Sequence, residues 1–510
     1  MEHPGIPDDW AELLAEFDTR LERGRAMGGE ARLAKLRNNS RLNAREQIAA
    51  LCDPGSFMEL GTLAGGLEHG PQAAAPADAL VGGVARIDGR TVVVGAEDFT
   101  VQGGSIGFAT AAKRLRLARL AGQEGAPLVM LLDGAGERAS NALSRYPYAP
   151  NDMQELALLS GMVPSIAVVT GSSAGHGAVT ALLSDLVIML EKATLFAAGP
   201  ALVAAATGEN VAKEELGGAR MHAAVSGVAH NVVADEQEAF AMVRSYLSLL
   251  PANAWEHPPA RPNPDDGPRV LDSILDIVPR DAQKPYDMRK VIGLLFDQGE
   301  SLEIQPLFGR SLLTVLGRIG GESVALLANQ PMLLAGSMDR DAADKAARFL
   351  QIADAFHLPV VFLADNPGIL SGAMAERAGT LRAAARMYMA QARLRVPKLH
   401  VTLRKAYGFG SSIMAMNPFD GQTLTVAFPG ISLGGLPAAG GARAAGMDNA
   451  AQSRMAEAQA AGAWSAGDTL AYDEIIDPRE LRNALLHGLQ LARGRRSKPA
   501  APALHGGVWP

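Results

Sequence analysis

The chain has 510 residues, 48% of them hydrophobic and 20% charged, with a formal net charge of −7. That length exceeds one ordinary core and predicts two domains, while the acidic balance argues against a nucleic-acid footprint. The single cysteine, Cys52, excludes a disulfide framework and fits a reducing cytoplasm.

In chain order, residues 1–9 are polar and lack the apolar segment of a signal peptide. No apolar run anywhere reaches the ~18 residues that span a bilayer, so the expected location is cytoplasmic and off the membrane. Residues 10–50 read as a charged helical arm with Trp10, Leu13, Leu14 and Phe17 on one stripe. A first compact region, about 52–251, carries apolar runs at 91–95, 128–132, 166–170 and 186–190, with helical stretches such as 110–124 and 151–162 between them. Apolar runs without alternation suit strands covered on both faces, and their alternation with helices predicts an α/β architecture. Pro251, Pro258, Pro259, Pro262, Pro264 and Pro268 then mark a linker. A second region, about 269–493, has runs at 324–328, 360–364, 399–402 and 423–428. The division expected is 1–257 and 258–510, ending in an Arg-, Pro-, Ala- and Gly-rich tail, 494–510, expected to be disordered.

The two regions are copies. Lys113, Arg116, Ala121, Pro127, Asp133 and Gly136 recur 232 positions later as Lys345, Arg348, Ala353, Pro359, Asp365 and Gly368. Val163-Pro164 pairs with Val396-Pro397 one further position on. A duplicated domain offers two similar loops, which suits a reaction that must hold two carbonyl groups.

The loops themselves read as strand, glycine turn and helix. In the first copy Gly171-Ser172-Ser173-Ala174-Gly175-His176-Gly177 joins a strand to a helix; in the second, Tyr407-Gly408-Phe409-Gly410 does so. A helix start presents unpaired N–H groups at a positive dipole end, able to stabilise a developing oxyanion. The competing reading is that these glycines only let strand and helix approach closely. The same stretch also satisfies G-x-S-x-G, which makes Ser173 a rival nucleophile of the hydrolase kind. Against that, His176 is too near to be its base, His222, His230 and His257 lie in no recognisable context, and the duplication goes unexplained. Asp133 and Asp365, at strand ends, read as loop-capping carboxylates. Arg138 is a candidate for an anionic ligand or, equally, a salt bridge. There is no P-loop and no Cys/His cluster, so no metal is expected.

Further residues carry a resemblance. Ala44-Arg45-Glu46-Gln47-Ile48 with Asp53-Pro54-Gly55-Ser56-Phe57, Asp98-Phe99-Thr100 with Gly103-Gly104-Ser105, Glu215-Leu216-Gly217-Gly218-Ala219, Ala328-Asn329-Gln330-Pro331 and Arg404-Lys405-Ala406-Tyr407-Gly408 resemble the carboxyltransferase (β) subunits of biotin-dependent acyl-CoA carboxylases, the propionyl-CoA and methylcrotonyl-CoA group. The resemblance implies two tandem crotonase-like domains, each a ββα superhelix, and a homohexamer with each site between copies. It implies transfer of CO2 from carboxybiotin to the α or γ carbon of an acyl-CoA without a side-chain base. The thioester oxygen would meet the N–H groups of Gly175 and His176, and carboxybiotin those of Phe409 and Gly410. Gly103, Gly104, Gly134, Gly136, Arg138, Gly177, Gly408 and Ser412 would be substrate-binding. Coenzyme A enters as part of the substrate. No Ala-Met-Lys-Met sequence is present, so biotin and its carboxylase would come on a partner chain.

The chain also departs from the family. His176 and Phe409 stand where glycines are common, Ser412 where an acyl-pocket Asp is frequent, and Gly434-Gly435-Leu436-Pro437-Ala438-Ala439 lacks the family's Glu. Two readings therefore stand beside the first: a decarboxylase on the same fold, and a non-catalytic scaffold.

Overall fold

The computed structural model describes residues 7–65, 75–139, 141, 151–417, 420–496, 498–503 and 507–509. The first six residues of the polar start and part of the tail lie outside them. The chain divides into unit 1, Met1–Ala223 with Val232–Arg244, and unit 2, Ala224–Asn231 with Ser245–Pro510. The division thus falls near Arg244, ahead of the expected 257.

Unit 1 opens with three helices, Asp8–Arg25, Glu30–Asn38 and Ala44–Leu51, where the sequence reads as one arm. The third starts at a capping box: the Asn43 side chain accepts from the N–H groups of Arg45 and Glu46, and Glu46 reaches back to the Asn43 N–H. The Trp10, Leu13 and Phe17 stripe is exposed.

The sheet of unit 1 starts as an antiparallel hairpin, Leu80–Ile87 with Arg90–Glu97, and continues in parallel through Leu128–Leu132, Ser165–Val169 and Leu186–Leu190. Unit 2 repeats the plan: a hairpin of Leu312–Ile319 with Glu322–Asn329, then Val360–Asn366, Lys398–Tyr407 and Leu424–Ala427 in parallel. All residues of the central strands are buried on both faces, as the unbroken apolar runs require.

The repeated residues do the same work in each copy. The helix after each hairpin, Phe108–Glu124 or Arg340–Ala355, sends a buried lysine back to hairpin carbonyls. Lys113 Nζ donates to Ala77 O at 2.9 Å and to Leu80 O; Lys345 Nζ donates to Gln305 O, Phe308 O and Leu312 O at 3.3, 2.7 and 2.6 Å. Each helix ends in a left-handed residue at φ +59°, Gly125 in the first copy and His357 in the second. The histidine pays the Cβ penalty that glycine avoids, and its Nε2 is held by Ala254 O at 2.7 Å.

Two loosely patterned stretches are bound rather than free. Within the proline-rich segment, Arg261 N–H donates to Gly321 O at 2.9 Å, and Arg482 donates to Asp265 O and Gly267 O at 2.9 and 3.0 Å. Residues expected as a disordered tail begin inside the helix Leu481–Arg496; beyond it Ala501 O and Pro502 O accept from Arg395, and Trp509 N–H donates to Gln351. Composition does not register these partners, because they are supplied by distant segments.

In unit 2, His400 is fully buried. Its Nδ1–H donates to Met414 O at 2.7 Å, so its Nε2 accepts from Thr402 Oγ1 at 2.8 Å, and that hydroxyl accepts in turn from Tyr472 at 2.8 Å. Burial pushes the imidazole down to about 4 from 6.5. The folded state thus binds this proton less readily than the unfolded chain. The resulting stability is complete above about pH 6.5 and is lost as pH falls toward 4, on the order of 3 kcal/mol in all.

Two outcomes are expected. Acid titration of unfolding between pH 7 and 4 should show a steeper loss for the native chain than for His400→Gln; equal slopes would remove His400 from the acid response. Lys345→Met should lower the urea midpoint of unit 2 by the equivalent of about 2–4 kcal/mol, because three buried carbonyls lose their donor; an unchanged midpoint would show that the lysine holds nothing.

Candidate active site

In unit 1 the strand Ser165–Val169 leads through a short strand, Ser172–Ala174, to the helix His176–Leu182. The turn is made by Gly175, at φ 55° and ψ −114°, a conformation open to glycine. Its N–H donates to Phe196 O at 3.1 Å, continuing the pairing of Ser172–Ala174 with Thr194–Phe196. Gly175, expected as an oxyanion donor, thus has its N–H engaged within the chain in this structure. The first-turn N–H groups of His176 and Gly177 have no intrahelical partner and meet no acceptor among the described residues.

A second turn, Asp133 to Gly136, lies against this one. Ala174 N–H donates to Gly134 O at 3.1 Å, and a Cβ on Gly136, at φ +80°, would stand 2.8 Å from Ala174 O. Asp133 caps the arrangement, as its strand-end position suggests: Oδ1 accepts from Ser172 N–H at 3.1 Å and Oδ2 from Arg41 at 2.5 Å. Gly104, at φ +66°, packs its backbone on Asp133 O, where a Cβ would approach to 2.3 Å; Gly103 has open space and accepts the Ala135 N–H at 3.0 Å. Close packing thus accounts for Gly104, Gly134, Gly136 and Gly177, and Gly177 also carries one of the unpaired donors.

Beneath both turns lies a buried ionic chain that the sequence does not advertise. Glu97 Oε2 accepts the Asp133 N–H at 2.8 Å, and its Oε1 accepts from Arg114 at 2.7 Å. Arg114, fully buried, also donates to Asp152 at 3.2 Å and to Thr180 Oγ1 at 2.5 Å. Asp152 pairs with His176 Nε2. Burial holds the Glu97 carboxyl above its usual range against the pull of Arg114. Burial also opposes ionisation of Asp152, yet Arg114 and the His176 hydrogen bond keep its carboxyl below the usual range.

Unit 2 builds the same turn with a neutral acceptor where unit 1 has Glu97. Lys398–Tyr407 runs into the helix Gly408–Ile413, where Phe409 and Gly410 carry first-turn N–H groups. Gly408 sits at φ +53° with Gly435 O 2.7 Å from a would-be Cβ, and Gly410 has Asn366 Oδ1 at 2.4 Å. Asn329 Oδ1 accepts the Asp365 N–H at 3.1 Å, the place Glu97 holds in unit 1. Asp365 is gripped by Arg404 Nε at 2.8 Å, and that guanidinium stacks 4.6 Å from the Tyr286 ring centroid. The Phe409 ring leans edge-on to Tyr388 at 5.6 Å. Ser412 Oγ donates to Asn417 Oδ1 at 3.3 Å.

Two expectations change. Ser173 has no exposed surface, and a Cβ on Gly177 would lie 2.4 Å from its Oγ, so no substrate reaches it and the hydrolase elbow fails. Arg138 is engaged internally, with Asp78 at 2.7 Å and Ser105 O at 2.8 Å, which leaves a salt bridge rather than an anion ligand. Among the described residues no group of three His, Cys, Asp or Glu side chains is placed to hold a metal, and no helix is long and apolar enough to cross a membrane.

The family model of the carboxyl transferase domain matches residues 35–503. The methylmalonyl-CoA decarboxylase subunit alpha of Veillonella parvula is 35% identical over 508 residues, 98% of each chain. The methylmalonyl-CoA carboxyltransferase 12S subunit of Propionibacterium freudenreichii subsp. shermanii is 37% identical, over 84% of this chain and 82% of its own. Among solved structures, transcarboxylase 12S with hydrolysed methylmalonyl-coenzyme A matches at a TM-score of 0.89 and 33% identity over 100% of both chains. The duplicated α/β sheets are accordingly the crotonase-like pair that the sequence leads one to expect. By the extent of these matches and the two glycine turns at repeat-related positions, the chain belongs to the carboxyl transferase domain family.

Proposed function

We propose that the chain is a carboxyltransferase subunit that moves a carboxyl group between biotin and the α or γ carbon of an acyl-CoA. The observation that carries this reading is the pair of glycine turns, one per copy, each presenting first-turn N–H groups free of chain acceptors. In unit 1, His176 and Gly177 offer donors to the thioester oxygen, which gains charge when a proton or a carboxyl group leaves the adjacent carbon. Gly136 leaves the approach clear of side chain. In the carboxylating direction the α-proton would pass to the ring nitrogen from which biotin's carboxyl group departs, so no dedicated side-chain base is needed.

The turn of unit 2 fits the urea carbonyl of biotin by the same chemistry: Phe409 and Gly410 supply donors, and Gly410 admits no Cβ beside Asn366. Biotin, when presented by its carrier, supplies or accepts the carboxyl group and exchanges it for a ring N–H. The absence of Ala-Met-Lys-Met assigns that carrier to a partner chain. A homohexamer is supported by the transcarboxylase 12S structure, described as a hexamer assembly, and sites shared between copies belong to this proposal. The free, buried Cys52 fits a cytoplasmic setting.

One observation favours a second reading. The decarboxylase subunit alpha of Veillonella parvula aligns over 98% of both chains, so net decarboxylation of a malonyl-type thioester is the alternative direction. The scaffold reading draws no support, since the His176 ring turns to Asp152 and that of Phe409 to Tyr388, away from the donor role of their backbones.

The purified chain should move a carboxyl group from methylmalonyl-CoA to free biotin and, in the other direction, from carboxybiotin to acetyl- and propionyl-CoA. No transfer in either direction would overturn the reading. Gly410→Ala should lower kcat by roughly 10²-fold, the scale of losing one oxyanion donor, while acyl-CoA binding measured by calorimetry stays intact; lost acyl-CoA binding would mean the two turns have been assigned to the wrong reactants.

A further inference from the structure

The two copies share a scaffold but not its charge. Glu97, Arg114 and His176 in unit 1 correspond to Asn329, Ala346 and Phe409 in unit 2. Asn329 receives the strand-end N–H of Asp365 as Glu97 receives that of Asp133, at 3.1 and 2.8 Å. The turn therefore needs only a neutral acceptor to form. A carboxylate, a guanidinium, a second carboxylate and an imidazole, with side chains at most 9% exposed, are more than folding requires, because burying such a chain carries a desolvation cost.

Its wiring points at the donor turn. Glu97 lies under both turns: its Oε2 would be 2.8 Å from a Cβ on Gly134, and its two oxygens 3.6 and 3.8 Å from one on Gly177. Arg114 ties it to Asp152 and to Thr180, whose Oγ1 donates to His176 O at 3.1 Å. Asp152 grips the His176 ring. Both the main chain and the side chain of His176 are thus tethered, and its N–H is one of the unpaired donors.

We propose that His176 is a positioning residue for the acyl-CoA reaction: Asp152, Arg114 and Glu97 fix its backbone donor through its ring. This rests on unit 1 being the acyl-CoA side. A donor held in place from both its main chain and its side chain meets the negative charge growing on the thioester oxygen without having to reorganise.

The test compares His176→Phe, which installs the residue of the other copy, with His176→Gln, which keeps a donor for Asp152, and with Arg119→Ala, an exposed control. Carboxyl exchange between methylmalonyl-CoA and biotin is measured over a range of methylmalonyl-CoA concentrations, so that kcat and KM are separated. His176→Phe should lose roughly 10- to 100-fold in kcat with little change in KM or Tm. His176→Gln should recover part of that kcat, and His176→Ala takes the place of His176→Phe should the latter not fold. Native kcat in the variant without the ring donor, no recovery in His176→Gln, or a loss confined to KM would overturn the inference. An inactive native chain would overturn the functional reading itself.

Discussion

A single hydrogen bond at a strand end sets the geometry of each half of this protein. Where the second hairpin strand finishes, a side-chain oxygen accepts the N–H of the aspartate that ends the neighbouring strand: Glu97 for Asp133, Asn329 for Asp365. That bond fixes one glycine turn, and the aspartate's own carboxylate then braces the strand or turn beside it. Gly104 and Gly336, both at positive φ, pack against the carbonyls of the same two aspartates, each with 2.3 Å to a would-be Cβ. No larger residue fits there, so the turns are held from below as well as from the side.

Upon this brace the donor turns differ in what they do with charge. Unit 2 surrounds its turn with Asn329, Asn366 and the Phe409–Tyr388 contact, while its ionic contacts gather at Asp365, against Arg404 and Lys405. Unit 1 runs its ionic chain to the first residue of the donor helix.

Several residues were legible because they repeat. Lys113 and Lys345 stand out at a common offset, and the structure gives them the same task of tying hairpin carbonyls to the crossover helix. Asp133 read correctly as a cap, accepting the Ser172 N–H, whereas the Asp365 carboxylate is turned to Arg404 and Lys405 instead. Gly175 was legible as a turn but not as a turn whose N–H is already engaged, since its acceptor, Phe196, is twenty-one positions on and belongs to a strand of three residues. Ser173 fits a catalytic pattern only while its burial is unknown. Arg138 reads equally as an anion ligand or a salt bridge until Asp78 and Ser105, from other segments, are brought to it.

The sequence by itself determined the duplication, the α/β order, the glycine turns and the family, because these rest on local chemistry and on spacing along one chain. Only the tertiary structure decided which N–H groups remain unpaired, that Arg114 joins Glu97 to Asp152, and that His176 ends this chain. Those facts depend on side chains from a strand, two helices and a turn converging out of water, where an unpaired charge is too costly to leave, and nothing in their separation along the chain records that meeting.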